Sequence, residues 1–77
     1  MDSKTLIGSQ VRDLRLAVGL SQEKLGELAD LHRTTIGAVE RGEINSTVEN
    51  LEKIAYGLKV PLIRLFEKCI TVPHSPT

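Results

Sequence analysis

Two short segments of this 77-residue chain carry side chains whose type and order suit polar contacts with phosphates and base edges. Gln22 opens the first segment, and Arg33, Thr34 and Thr35 open the second. An arginine can donate two hydrogen bonds to O6 and N7 of guanine, and a threonine can offer its hydroxyl to a base and its methyl group to thymine. Backbone N–H groups at helix starts also suit phosphate oxygens. We therefore interpret these four residues as candidate contacts to DNA.

The elements that must position these side chains are two short amphipathic helices joined by a tight turn. Ser21 is a suitable N-cap for the first helix, and Asp30 tolerates the left-handed backbone that such a turn needs. Gly26 lies within the first helix and predicts a close approach of the second, which extends from near His32 to Gly42. The inner faces of the pair are apolar and comprise Leu25, Leu28, Ala29, Ile36 and Val39. This pattern predicts a helix-turn-helix, in which the second helix lies in the major groove of DNA.

Three further segments place apolar residues at helical spacing, and with the first two they predict an all-α fold of five helices. The segment nearest the N-terminus covers about residues 3–18 and ends at Gly19. The fourth follows Thr47 as its N-cap, and the fifth follows Pro61, a residue common at helix starts. The apolar positions of the three segments include Val11, Leu14, Val18, Val48, Leu51, Ile54, Leu58, Leu62 and Leu65.

The composition restricts the functions open to the chain. Residues 1–70 are expected to form one domain, and residues 71–77 (TVPHSPT) are expected to be a disordered tail. Ten basic and ten acidic side chains leave a formal net charge of zero, so affinity for DNA must come from a local patch rather than from bulk charge. The single cysteine, Cys69, favours a reducing cytosol, and no run is long and apolar enough to cross a membrane. We expect a cytoplasmic protein of a bacterium or phage, associated with the nucleoid.

Catalytic and metal-binding chemistry find no support in the sequence. The two histidines, His32 and His74, do not stand at a recognisable ligand spacing from Cys69. No Ser-His-Asp set, glycine-rich phosphate loop or carboxylate cluster in apolar surroundings is present. We therefore expect a protein without enzymatic activity, cofactor or metal.

Three phrases of the sequence, GLSQEKLGELADL, HRTTIGAVERGE and LEKIAYGLKVPL, resemble the lambda-repressor/Cro-like DNA-binding domains over residues 4–68. The run LHRTTIGAVERGEIN looks most like the controller proteins of restriction–modification systems, which are small dimers that bind operators and time the expression of an endonuclease. The resemblance implies a compact five-helix domain with the helix-turn-helix at helices 2 and 3.

The resemblance also implies roles for individual residues. Gln22 matches a phosphate contact, Arg33 and Thr34 match base contacts, and Thr35 and Ala38 match positions that face the groove or backbone. The remaining candidate DNA contacts are the helix-start residue His32 and the groove-edge residues Arg41, Asn45, Ser46 and Thr47. Arg15 and Glu40 match a buried ion pair that ties helix 1 to the end of the recognition helix.

Several positions depart from the pattern of the related controllers. Ile44 stands where a basic residue is common, and Thr35 stands where an aromatic residue is common. Lys59 replaces the glycine that usually ends helix 4, and His32 replaces the usual Ser, Thr or Asp cap. These departures bear on the operator sequence rather than on the fold.

An apolar surface near the end of the chain predicts a homodimer. Ile63 and Phe66 are surplus to an inner face already supplied by Leu62 and Leu65, and with Leu58 they form the predicted interface. The expected function is therefore a homodimeric transcription regulator on an inverted-repeat operator, which blocks or recruits RNA polymerase. A phage or plasmid repressor, or an antitoxin-type interaction module, remains an alternative.

Overall fold

The computed structural model describes residues 2–44 and 46–70, and these residues form five helices without a strand. The all-α fold predicted from the sequence is confirmed. The helices are α1 (Ser3–Ala17), α2 (Gln22–Ala29), α3 (Arg33–Glu40), α4 (Val48–Leu58) and a final 3₁₀ helix (Leu62–Cys69). Asn45 and the predicted tail at residues 71–77 lie outside the described residues.

The helix ends follow from local side-chain chemistry. Ser21 and Thr47 act as the predicted N-caps, each accepting a hydrogen bond from the backbone N–H three residues on, at 2.9 and 3.0 Å. His32 caps α3 through its ring nitrogen Nδ1. Asp30 and Lys59 end α2 and α4 in the left-handed conformation, with φ of 58° and 61°. Lys59, which stands in place of the usual glycine, therefore ends α4 under some strain, because lysine adopts this conformation less readily than glycine.

The fifth helix is a 3₁₀ helix, whereas the sequence favoured a helix of ordinary spacing. Residues three apart line up in a 3₁₀ helix. Leu62 and Leu65 consequently face inward together, and Leu65 is fully buried. Ile63 and Phe66 form the adjacent row, with Ile63 60% exposed and Phe66 half-buried against the core.

The core is aliphatic, and its five most deeply buried large side chains come from all five helices. They are Val11, Leu25, Ile36, Ile54 and Leu65. The α2 helix packs between α3 and α4, and the 3₁₀ helix packs on α1 and α4. The inward face of α3 is thereby fixed, which leaves its opposite face for solvent or a ligand.

Four apolar residues lie elsewhere than the sequence suggested. Val18 and Val48 are exposed because they stand at the end of α1 and the start of α4, where the chain leaves the core. Leu28 is 40% exposed because Leu25 and Ala29 already fill the inner face of the short α2. Leu58, predicted both for the apolar stripe of α4 and for a dimer interface, is only 5% exposed and belongs to the core of the single chain alone.

The crossing of α1 and α3 depends on Gly8, whose missing side chain lets two backbones meet. A Cβ at this position would collide with the carbonyl oxygens of Val39 and Glu40 at the end of α3. We expect Gly8→Ala to lower the free energy of unfolding by about 1–3 kcal/mol, although alanine favours an isolated helix by about 1 kcal/mol. Urea denaturation measures the change, and Arg12→Ala, an exposed position of α1, serves as the control. An unchanged free energy of unfolding for Gly8→Ala would show that the carbonyl groups of Val39 and Glu40 can move away from the added methyl group without cost.

Candidate nucleic-acid interface

The turn between α2 and α3 is held tightly at Gly26. A Cβ there would lie 2.6 Å from the carbonyl oxygen of Leu31 and 3.3 Å from the backbone nitrogen of Arg33. The close approach predicted from this glycine is therefore present, and it involves the turn together with the first residue of α3. The contact fixes the angle at which α3 leaves α2.

The outward face of α3 presents a narrow polar stripe. Thr34, Ala38 and Arg41 stand at i, i+4 and i+7, so their side chains follow one another along the same side of the helix. Thr34 and Arg41 are exposed and Ala38 is half-buried. Such a stripe, with a small residue at its centre, lets a helix approach a groove wall closely.

The start of α3 carries its most exposed charged side chain. The side chain of Arg33 is 63% exposed, and its Nη1 lies 3.5 Å from a carboxylate oxygen of Glu23 on α2. The hydroxyl of Thr34 lies 2.8 Å from Nδ1 of His32, and the same ring nitrogen accepts the backbone N–H of Thr34. Thr35 is half-buried beside them. These residues form a polar end that can reach donors and acceptors outside the protein.

A shielded ion pair fixes the other end of α3. Arg15 of α1 donates through Nε and Nη2 to the two carboxylate oxygens of Glu40, at 2.6 and 3.0 Å. The side chains are only 9% and 3% exposed. Arg15 also donates to the carbonyl of Leu20 at 2.8 Å. Hydrogen bonding to Glu40 raises the pKa of the Arg15 guanidinium, against the opposing effect of burial.

Gln22 joins this network from the start of α2. Its Nε2 donates to Glu40 at 3.0 Å, so the carboxylate binds Arg15 and Gln22 at once. An amide nitrogen carries two hydrogens, and Gln22 can therefore donate to Glu40 and to a phosphate simultaneously. The phosphate contact predicted from the sequence for Gln22 is compatible with this geometry and stays a prediction.

Arg41 is also paired within the chain. Its Nε and Nη2 donate to the two carboxylate oxygens of Glu43 at 2.7 and 3.1 Å, in a fork on the protein surface. The hydrogen bonds raise the pKa of Arg41 and lower the pKa of Glu43. Both groups are therefore charged at neutral pH, and the pair would weaken only as acid protonates Glu43.

Gly37 brings Gln22 and Arg41 to the same bare part of α3. A Cβ on Gly37 would lie 3.0 Å from Nη1 of Arg41 and 3.5 Å from Oε1 of Gln22. The two polar head groups thus flank the helix where it has no side chain. This arrangement places two candidate phosphate contacts beside the α3 stripe.

The segment between α3 and α4 supplies the remaining candidate contacts. Thr47 caps α4, and the N–H groups that follow such a cap suit a phosphate oxygen. Ser46 is half-buried, and Ile44 is 38% exposed. Asn45 lies outside the described residues, so its predicted contact stays a prediction.

The sequence interpretation missed the roles of three residues in this region. Gly37 and Glu43 determine where Arg41 lies, and Gly8 lets α1 support the end of α3. Gly8 and Gly37 each interrupt a predicted helix, which is a signal for close packing that could have been followed. Glu43 gave no such signal, because an acidic residue two positions after an arginine is common on surfaces.

The described residues show neither a metal cluster nor a membrane-spanning helix. No three His, Cys, Asp or Glu side chains among residues 2–44 and 46–70 lie close enough to hold a metal ion. Within the same residues, every helix is too short or too polar to cross a membrane.

Known proteins resemble this chain over most of its length. A family model described as helix-turn-helix matches residues 11–65. Control protein C.SmaI of Serratia marcescens is 41% identical over 68 residues, which cover 88% of this chain and 81% of that protein. Control protein C.BamHI of Bacillus amyloliquefaciens is 47% identical over 58 residues, covering 74% and 72%. The crystal structure of the restriction-modification controller protein C.AhdI from Aeromonas hydrophila superposes with a TM-score of 0.80 at 41% identity, covering 82% of this chain and 96% of that one.

Proposed function

Because the chain belongs to the helix-turn-helix family, we propose that it regulates transcription as a restriction–modification controller that binds an inverted-repeat operator as a homodimer. The observation that carries the proposal is the division of α3 into two faces. Its buried face is fixed by the close backbone contacts at Gly26 and Gly8 and by the shielded Arg15–Glu40 pair, while Arg33 and Thr34 stand exposed at its start. A rigid helix with an exposed polar start is what reading base edges requires.

The proposed mechanism is occupancy of DNA near a promoter. Phosphate contacts from Gln22, Arg41 and the start of α4 would set the register, and base contacts from Arg33 and Thr34 would select the sequence. A bound dimer then either blocks RNA polymerase or recruits it, depending on where the operator lies. Chemistry on a substrate plays no part in this mechanism.

Selection from a random duplex library tests the proposal directly. Duplexes retained by the wild-type protein over several rounds are expected to converge on an inverted repeat, with half-sites about one DNA turn apart. A scrambled duplex of the same composition provides the non-specific reference. Failure of the pool to converge, with equal affinity for all duplexes, would contradict sequence-specific binding.

Arg33 is expected to contribute specificity rather than general affinity. We expect Arg33→Ala to weaken binding to the selected duplex relative to the scrambled one by about 1–3 kcal/mol, because a bidentate contact to guanine is lost. Gel-shift titrations at fixed salt measure both affinities. Arg33→Lys is the matched control, since lysine keeps the charge and loses the planar fork. Full rescue of specificity by lysine would mean that Arg33 contacts only phosphate.

The proposed dimer uses the outward row of the 3₁₀ helix. Four polar contacts hold the other side of this helix on α1: Gln10 donates to the carbonyl of Arg64 and to Glu67, and Lys68 contacts Ser9 and Asp13. Ile63 on this row is left 60% exposed, and Ile70, which directly follows the helix, is 55% exposed. Exposed aliphatic groups on an anchored helix suit a symmetric contact with a second copy of the chain.

A further inference from the structure

The fork between Arg41 and Glu43 has the geometry with which an arginine binds a phosphate. Two parallel N–H···O bonds, at 2.7 and 3.1 Å, join the guanidinium to the carboxylate. Phosphate oxygens accept the same two hydrogen bonds from arginine. In the unbound chain, Glu43 therefore accepts the two hydrogen bonds that Arg41 would otherwise donate to a DNA phosphate.

The two candidate phosphate contacts beside Gly37 differ in how firmly their carboxylate partners are held. Gln22 is paired with Glu40, whose side chain is 3% exposed and is also bound by Arg15. Arg41 is paired with Glu43, and these side chains are 58% and 55% exposed. The first pairing is a fixed part of the structure, whereas the second lies in solvent and can be exchanged.

We propose that Glu43 is an internal competitor for DNA phosphate, which holds Arg41 in the free protein and lowers affinity for every duplex. The proposal rests on the proposed function, since it assumes that Arg41 contacts the DNA backbone. Binding then exchanges one anionic partner of Arg41 for another. The local positive charge stays cancelled until the exchange occurs, which restrains non-specific binding in a chain of zero net charge.

The exchange also affects the salt dependence of binding. When Arg41 leaves Glu43 for a phosphate, the carboxylate of Glu43 stays beside the DNA and offsets one positive charge of the bound chain, so that fewer of the cations condensed on the DNA are released. Little net release is expected from this contact. Removing the charge of Glu43 should restore the release, and the slope of log affinity against log salt should steepen by about 0.9, the value for one neutralised phosphate.

Titration of Glu43→Gln with the selected and scrambled duplexes tests the proposal. At low salt we expect about two- to five-fold tighter binding to both duplexes, the range set by an exposed ion pair. The gain should vanish in the Arg41→Ala background, where no guanidinium is left to release. Glu52→Gln, an exposed position of α4 with the same change in net charge, should give a smaller gain.

Three outcomes would overturn the proposal while leaving the function intact. Wild-type binding with no gain from Glu43→Gln would show that the pair does not compete with DNA. A gain that persists with Arg41→Ala would assign the effect to repulsion between Glu43 and DNA. Identical Nε–H NMR signals of Arg41 in the wild type and Glu43→Gln, both without DNA, would show that the pair does not form in solution. Failure of the wild type to bind any duplex would instead contradict the proposed function.

Discussion

Glu40→Ala is expected to lower the free energy of unfolding by about 3 kcal/mol, because it leaves the shielded guanidinium of Arg15 without its carboxylate. This value is the low end for buried ion pairs, since the pair lies close to the molecular surface. The substitution also removes the acceptor for Gln22. Denaturation in urea, monitored by helical circular dichroism, measures the loss as a lower midpoint.

A double-mutant cycle separates the pairing from the separate effects of the two side chains. The combined Arg15→Met and Glu40→Ala changes should cost less than the sum of the single changes, with a coupling of about 0.5–3 kcal/mol. Glu43→Ala is the matched control, because it breaks an ion pair that lies in solvent, and it should leave the urea midpoint in place. Strict additivity of Arg15→Met and Glu40→Ala would contradict the coupling.

Local chemistry made much of the fold predictable from the sequence. The caps at Ser21 and Thr47 and the turn at Asp30 depend on neighbours within three residues, so the residue types alone indicate them. Apolar spacing likewise placed the helices. The pairing of Arg15 with Glu40 joins residues 25 positions apart, and it was reached through the family resemblance rather than through spacing.

Tertiary contacts decided the features that the sequence did not predict. The exclusion of Leu58 from the predicted dimer interface depends on how the 3₁₀ helix packs against α4, although the apolar spacing of α4 had also placed Leu58 in the core. The pairing of Arg41 with Glu43 depends on the turn at Gly42, where φ is 70°. The close backbone contact at Gly8 depends on the position of α3. Each of these requires knowledge of how separate helices or turns meet.

A dimer is necessary for the proposed function because one recognition helix reads only a few base pairs. Two helices one DNA turn apart, about 34–36 Å, read an inverted repeat, which is long enough to be distinguished from other sequences in a genome. The row formed by Ile63 and Phe66 is available for this contact, with Ile63 60% exposed. Gln10 and Lys68 anchor the helix that carries it on α1, so a change at Ile63 should leave the single chain folded.

Ile63→Glu is therefore expected to yield folded monomers, because two carboxylates would face each other across the two-fold axis without a partner. Loss of the second half-site contact should lower affinity for the selected duplex by about 100-fold or more. Sedimentation at micromolar protein and gel-shift titration measure the two effects. Leu16→Glu, which adds the same charge to an apolar residue of α1 that is 53% exposed, should remain a dimer. Dissociation by Leu16→Glu but not by Ile63→Glu would move the interface to α1, because a charge disrupts association only where the two copies meet.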